Sequence, residues 1–240
     1  MLERALGYPY PLTHQSFVYR AAMPDAVQLI TAADVFPDVS ARTPVLAVGS
    51  NQSPQQLARK FRGAEWGDIP TSRVHLRDFD TVYSAHVTGY GSIAATLHAS
   101  PGTRVALYVN WLTDDQLAAM HETELPNENY SFGRLENVDL EVEAGPALSA
   151  VNLYMGRRGA YAPEGAIIPL AEVPASGRRF AARTQAQMLS AVQQRIAPEM
   201  DVEPFILSAI HGPETRQRYI EALSRTALAF ASERFFAPPR

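Results

Sequence analysis

A short apolar segment that leads directly into a capped helix gives the strongest constraint on how this chain folds. Residues 45–48 are all apolar and predict a buried strand. Ser53, Pro54 and Gln56 then stand where the N-cap, first and third positions of a helix are expected, and the helix should run to about residue 61. Because so few residues separate the two elements, the chain must turn sharply where the strand ends.

A second capped helix is predicted to end at Glu124. Thr113 and Gln116 have the spacing of a capping box, in which each residue's side chain bonds the backbone of the other. Pro126 disfavours helical geometry at Leu125, so the helix should stop there.

Glu124 shares one face of this helix with apolar residues. Leu117, Met120, His121 and Glu124 follow the helical i, i+3, i+4, i+7 spacing. A carboxylate on a buried face is a candidate for proton transfer. The equal alternative is a carboxylate at a frayed helix end, surrounded by water.

The turn after the first strand, loop 49–51, is a candidate anion site. Gly49 permits a close approach to the backbone, and the successive N–H groups of Ser50 and Asn51 can surround an anion. The helix that follows adds the positive end of its dipole, which suits a ligand carboxylate. The alternative is an ordinary strand-to-helix turn.

The remaining pattern predicts an α+β fold with a curved, mostly antiparallel sheet. The expected elements are a short helix at 25–33, strands at 73–87, 94–98, 104–112, 129–144 and 150–155, and two C-terminal helices, one around Met188 and Val192 and one opening at Gly212 and Pro213. A turn at 88–92 follows the first of these strands, and a Pro-Gly turn at 100–102 should join 94–98 to 104–112 as a hairpin.

The composition argues against several classes of function. A net charge of −4 offers no basic surface for nucleic acid, and the absence of cysteine excludes disulfides and Cys-based zinc sites. The histidines lack metal-ligand spacing, so no metal site is predicted. No apolar run approaches the ~20 residues of a membrane helix, and the first residues lack a signal-peptide core, so a cytoplasmic protein is expected.

Taken in order, these segments resemble the gamma-glutamylcyclotransferase-like proteins. Val48 with loop 49–51 and the following helix is similar to the family's Tyr-Gly-Ser-Asn strand and helix. Residues 94–112 are similar to its central hairpin. The helix that ends at Glu124, followed by Tyr130, is similar to the segment that carries its catalytic glutamate and a downstream tyrosine.

The resemblance implies a fold and a site. It covers residues 44–156, which would form a small mixed, mostly antiparallel β-barrel with flanking helices. Outside the resemblance, residues 1–43 are expected to be an N-terminal extension packed on this core, and 157–240 a C-terminal helical extension of the same domain. The implied catalytic residue is Glu124, and the implied substrate-binding residues are Val48, Gly49, Ser50, Asn51 and Tyr130.

The implied reaction is intramolecular. The free α-amine of a γ-glutamyl amide attacks its own γ-carbonyl, so that 5-oxoproline forms and an amine or amino acid leaves. The glutamate acts as general acid/base, and the loop backbone binds the substrate. The implied partner is a small molecule with a carboxylate and a free amine; no nucleic acid, membrane, metal or cofactor is implied.

The chain departs from the family pattern at three positions beside the implied site. Val48 stands where Tyr is usual, and His121 and Leu125 stand where Asp and Gly are common. These differences leave Glu124 in place but favour a second interpretation, a non-catalytic module that binds a small carboxylate. A third is an interaction protein that uses its C-terminal helices, with Phe235 and Phe236 as a docking element.

Overall fold

The computed structural model describes residues 1–125 and 129–236, which form a mixed α+β fold with a large, mostly antiparallel sheet. The helices are α1 (Leu2–Leu6), α2 (Pro54–Lys60), α3 (Asp114–Glu124), α4 (Gln185–Ile196), α5 (Val202–His211) and α6 (Pro213–Ser224). The strands are β1 (Phe17–Tyr19), β2 (Val27–Leu29), β3 (Thr43–Ala47), β4 (Ile69–Val87), β5 (Ile93–Leu112), β6 (Tyr130–Glu136), β7 (Leu140–Val142), β8 (Ala150–Gly156), β9 (Ala160–Tyr161), β10 (Ala175–Ser176), β11 (Ala227–Leu228) and β12 (Phe235–Phe236). None of the helices in these ranges has both the length and the apolar character needed to cross a membrane.

A long, bent hairpin of β4 and β5 forms the centre of the fold. Its antiparallel register runs from Thr71 opposite Asn110 to Val87 opposite Ile93. The predicted turn at 88–92 therefore joins these two strands.

The predicted hairpin between residues 94–98 and 104–112 is wrong, because both segments belong to β5 and both pair with β4. Residues 100–103 leave the ladder as a bulge and do not reverse the chain. Gly102 has a φ of 83°, and its N–H donates to Asp78 Oδ1 at 2.9 Å, which ties the bulge to the neighbouring strand. Pairing with β4 on both sides of the bulge thus overrides the local Pro-Gly turn signal.

The sheet is open. Its strands follow the order β11-β9-β4-β5-β3-β8-β6-β12, and β3 and β8 are parallel. The predicted closed barrel is wrong: within the described ranges, β11 pairs with β9 and β12 pairs with β6, but the two end strands do not pair with each other. Each end strand is two residues long, and it covers an edge of the sheet without bridging the two edges.

The N-terminal and C-terminal segments pack on the central strands. Tyr8 and Val39 from the first segment and Met188 and Ile206 from the C-terminal helices are buried in the same apolar cluster as Leu107 of β5. The division of the chain at residues 43 and 156 stays a prediction.

Other local expectations are met or corrected by the structure. Strand β3 and helices α2 and α3 lie where the sequence predicts them. The helix expected at 25–33 is wrong, because β2 pairs with β1 there. The helix expected to open at Gly212 and Pro213 is α6, which ends at Ser224, and helix α5 was not predicted.

Candidate active site

Helix α3 places Glu124 at its C-terminal end. The predicted capping box is present: Thr113 N–H donates to Gln116 Oε1 at 2.9 Å, and Gln116 N–H donates to Thr113 Oγ1 at 3.3 Å. One turn before Glu124, Met120 is fully buried, and the Glu124 side chain is only 16% exposed. The carboxylate is therefore largely enclosed by protein.

Two donors hold one oxygen of the Glu124 carboxylate. Lys60 Nζ lies 2.5 Å from Glu124 Oε1, and Asn51 Nδ2 donates to the same oxygen at 3.0 Å. Lys60 is itself enclosed, with a side chain 8% exposed, and its Nζ lies 3.2 Å from Met120 Sδ. Within the described chain, Glu124 Oε2 accepts no hydrogen bond, so it is the oxygen open to a ligand.

Lys60 is a site residue that sequence reasoning missed. A lysine in the last turn of a short helix is usually solvated, so it drew no attention. The available signal was its position on α2: it lies i+3 from Leu57 and i+4 from Gln56, and both of these are buried. Ser53 caps that helix by accepting from Gln55 N–H at 3.3 Å.

Loop 49–51 is held in place by side chains. Gln52 Nε2 donates to the Val48 carbonyl at 2.8 Å, and Asn110 Nδ2 of β5 donates to the Asn51 carbonyl at 3.0 Å. A single turn of 3₁₀ helix begins at Ser50 and leads into α2. The loop is thus a fixed surface between β3 and α2.

Glu124, Lys60 and loop 49–51 line one cavity of about 400 Å³. That volume accommodates a ligand of dipeptide size. The structure brings all of the sequence-predicted site residues together in its lining: Val48, Gly49, Ser50, Asn51, Glu124 and Tyr130. Their roles in binding or catalysis remain predictions.

The N-terminal segment contributes Tyr8 to the same cavity. Its hydroxyl accepts a hydrogen bond from the Ala95 N–H at 2.9 Å. A Cβ atom added to Gly49 would lie 2.2 Å from the Tyr8 hydroxyl oxygen, so only glycine permits this close packing. No periodicity in residues 1–43 linked Tyr8 to the site.

Tyr8, Tyr90 and Tyr130 all line the cavity and all keep their protons near neutral pH. Burial raises the pKa of each phenol, and the nearby charge of Glu124 raises these pKa values further. A hydrogen bond to Ser50 acts in the opposite direction on the pKa of Tyr90. Neutral phenols are hydrogen-bond donors, so the cavity wall can stabilise oxygen atoms that gain negative charge.

Of the three positions that depart from the family pattern, Val48 lines the cavity, whereas His121 and Leu125 do not. His121 Nδ1 lies 2.7 Å from the Tyr154 hydroxyl, and its ring packs edge-on against Phe132. Burial lowers the pKa of His121. In the described ranges, no group of three or more His, Cys, Asp or Glu side chains is placed to hold a metal ion.

Comparison with known proteins gives partial matches to solved structures. No family model and no curated protein matches the sequence. The matching structures include a gamma-glutamyl cyclotransferase (18% identity, TM-score 0.38, 48% of this chain and 66% of that chain). They also include the solution structure of At5g39720.1 from Arabidopsis thaliana (20% identity, TM-score 0.36, 50% of this chain and 71% of that one). A third is the uncharacterized human protein loc79017 (13% identity, TM-score 0.40, 81% of this chain and 94% of that chain). The chain spans about two thirds of the length of the cyclotransferase that it matches.

Proposed function

We propose that this protein is a cyclotransferase-like enzyme that cleaves a γ-glutamyl amide and forms 5-oxoproline. The observation that carries the proposal is the cavity that Glu124 shares with loop 49–51, whose Asn51 donates a hydrogen bond to the Glu124 carboxylate. A carboxylate and a backbone loop on one wall are what an intramolecular acyl transfer needs: a proton carrier, a fixed substrate pose and donors for the developing oxyanion.

In the proposed reaction, Glu124 Oε2 first removes a proton from the substrate's α-ammonium group. The freed amine attacks the γ-carbonyl carbon, and the carbonyl oxygen becomes an oxyanion. The C–N bond to the leaving amine then breaks as Glu124 returns its proton to that nitrogen. The ring nitrogen still carries a second proton at this point, so Glu124 removes that proton too and passes it to the released amine, which departs as an ammonium ion. Two protons thus move from the substrate's α-ammonium group to the leaving nitrogen, and the proposed steps use no metal or cofactor.

The chain offers oxyanion donors of two kinds. The amides of Ser50 and Asn51 open a helical turn, and the first amides of a turn lack acceptors within it. The neutral phenols of Tyr130 and Tyr8 lie in the same cavity. We propose that the amides bind the substrate carboxylate or carbonyl, and that Tyr130 donates to the oxyanion.

A second candidate function is a non-catalytic module that binds a small carboxylate. The contact that favours it is the Lys60–Glu124 ion pair, because a carboxylate that is already paired can serve the structure alone. The interaction-protein alternative is less favoured: Phe235 stacks edge-on against Phe230 and pairs in β12 with β6, so it packs on its own domain. Phe236 is 54% exposed.

The proposal is tested by a screen of γ-glutamyl dipeptides and γ-glutamylamines for release of 5-oxoproline, detected by mass spectrometry. The matched control is the same compound with an acetylated α-amine, which cannot attack the γ-carbonyl. We expect turnover of the free-amine compounds and none of the acetylated ones. Release of amine from an acetylated compound would indicate hydrolysis instead, and a fully negative screen with tight binding would favour the binding module.

A further inference from the structure

The mouth of the cavity carries two guanidinium groups that the proposed reaction does not use. Arg4 of α1 and Arg59 of α2 both line the cavity, and both side chains reach solvent. We call this pair the arginine rim. Arg4 belongs to the N-terminal segment, outside the residues that resemble the cyclotransferase family.

Aromatic rings hold the arginine rim in position. The Arg4 guanidinium carbon lies 4.4 Å from the Tyr90 ring centroid, and that of Arg59 lies 4.1 Å from the Tyr10 ring centroid. Arg59 Nη1 also donates to Gln56 Oε1 at 3.2 Å. Stacking fixes a guanidinium plane and leaves its edge N–H groups free for a planar anion.

In the part of the chain that the structure describes, no carboxylate neutralises the charge of the arginine rim. Across the ranges that the structure describes, neither side chain forms an ion pair with a carboxylate. Lys60, the other lining cation, is paired with Glu124. His86 also lines the cavity but is neutral near pH 7, because burial lowers its pKa to about 4.

The described lining therefore has an excess of positive charge at its mouth, although the whole chain has a net charge of −4. A cleft of one charge sign concentrates ligands of the opposite sign. Guanidinium groups bind carboxylates and phosphates through paired, charge-assisted hydrogen bonds.

We propose that the arginine rim binds an anionic oxygen group at the outer end of the ligand. Resting on the proposed function, this makes Arg4 and Arg59 specificity-determining residues for the portion of the substrate that leaves. The inner end of such a ligand would face loop 49–51 and Glu124, and the N-terminal segment would act as a specificity element.

The test uses ligands that bind but cannot react. Glutaryl-alanine keeps the α-carboxylate and the amide of γ-glutamylalanine but lacks the attacking amine, and glutaryl-alaninamide also lacks the outer charge. Calorimetry with the full chain should show at least about tenfold tighter binding of glutaryl-alanine, the difference that one good charged contact supplies. The glutaryl amide of phosphoethanolamine carries a phosphate in place of the outer carboxylate. Whichever of this compound and glutaryl-alanine binds more tightly identifies the preferred outer group.

The variants Arg4→Gln and Arg59→Gln should each reduce this discrimination several-fold. The matched control is Arg62→Gln, which removes the same charge from an arginine that is 66% exposed and lies 3.9 Å from Asp25, outside the cavity lining. Thermal melting of each variant checks that it is folded. Equal binding of the charged and amidated ligands by the wild type, absence of binding by both, or discrimination that survives both rim substitutions would overturn the proposal.

This outcome is separable from that of the proposed reaction. A negative 5-oxoproline screen with rim-dependent binding of glutaryl-alanine would contradict the proposed reaction and support the anion site. A positive screen with equal binding of glutaryl-alanine and glutaryl-alaninamide would support the proposed reaction and contradict the anion site at the arginine rim.

Discussion

The two ends of the cavity treat charge in opposite ways. At the inner end, the Glu124 carboxylate is paired with Lys60 and Asn51, and all three lie largely out of solvent. At the mouth, Arg4 and Arg59 stack on aromatic rings and have no carboxylate partner in the described part of the chain. An internally paired group suits precise placement of one reacting oxygen, whereas unpaired cations suit attraction and selection of a charged ligand.

The largest expected effect comes from breaking the inner pair. Lys60→Met keeps the length of the side chain but leaves the carboxylate without its cation, and we expect a loss of about 3 kcal/mol in the free energy of unfolding. Urea denaturation measures this loss. The double variant Lys60→Met/Glu124→Gln should recover part of it, because no unpaired charge remains. Purely additive effects would mean that the inner end is not held by this ion pair.

The next largest effect is expected at the contact between the N-terminal segment and the inner end of the cavity. Gly49→Ala places a Cβ atom against the Tyr8 hydroxyl, so we expect it to destabilise the fold by about 1–3 kcal/mol and to weaken ligand binding. In a Tyr8→Phe background the nearest remaining ring atom would be Cζ, at 3.3 Å, and Gly49→Ala should cost less.

The control for this comparison is Gly89→Ala, since Gly89 lines the same cavity but a Cβ atom there meets nothing within 4 Å. Chemical denaturation and calorimetry of the wild type, Gly49→Ala, Tyr8→Phe and the double variant complete a double-mutant cycle. An identical cost of Gly49→Ala with and without the Tyr8 hydroxyl would contradict the packing described for the loop.

A smaller effect is expected from His86, a buried residue in the lining of the same cavity. His86 is nine-tenths buried, its Nδ1 has no hydrogen-bond partner in the described ranges, and burial lowers its pKa to about 4, helped by Arg158 and Arg216. A histidine in the unfolded chain binds its proton near pH 6.5. The contribution of neutral, buried His86 to the free energy of unfolding is therefore fully present above that pH and is lost as the pH falls toward 4.

Between pH 7 and pH 5, we expect a loss on the order of 1–2 kcal/mol that is absent in His86→Gln. Thermal or urea unfolding at the two pH values measures it. The same pH dependence in both proteins would mean that the His86 ring is open to water.

The sequence predicted the inner end better than the mouth, for a physical reason. Capping signals and periodicity are local. They placed strand β3 and helices α2 and α3 well enough to identify Glu124 and loop 49–51 as site residues. Lys60 and Tyr8 enter the site through tertiary packing between distant segments, which no local pattern encodes. The same limit explains the wrong hairpin at 100–103, where pairing with β4 overrides the turn residues.

The most direct measurement is the rate of 5-oxoproline release by Glu124→Gln beside that of Glu122→Gln, on any substrate that the screen identifies. Glu122 is exposed on the same helix, so its variant removes an equal charge without touching the cavity. If Glu124 carries the proton, Glu124→Gln should lose at least ~10²-fold in kcat/KM while Glu122→Gln stays near the wild-type rate. Wild-type turnover by a folded Glu124→Gln protein would contradict the assignment of the inner end as the catalytic centre.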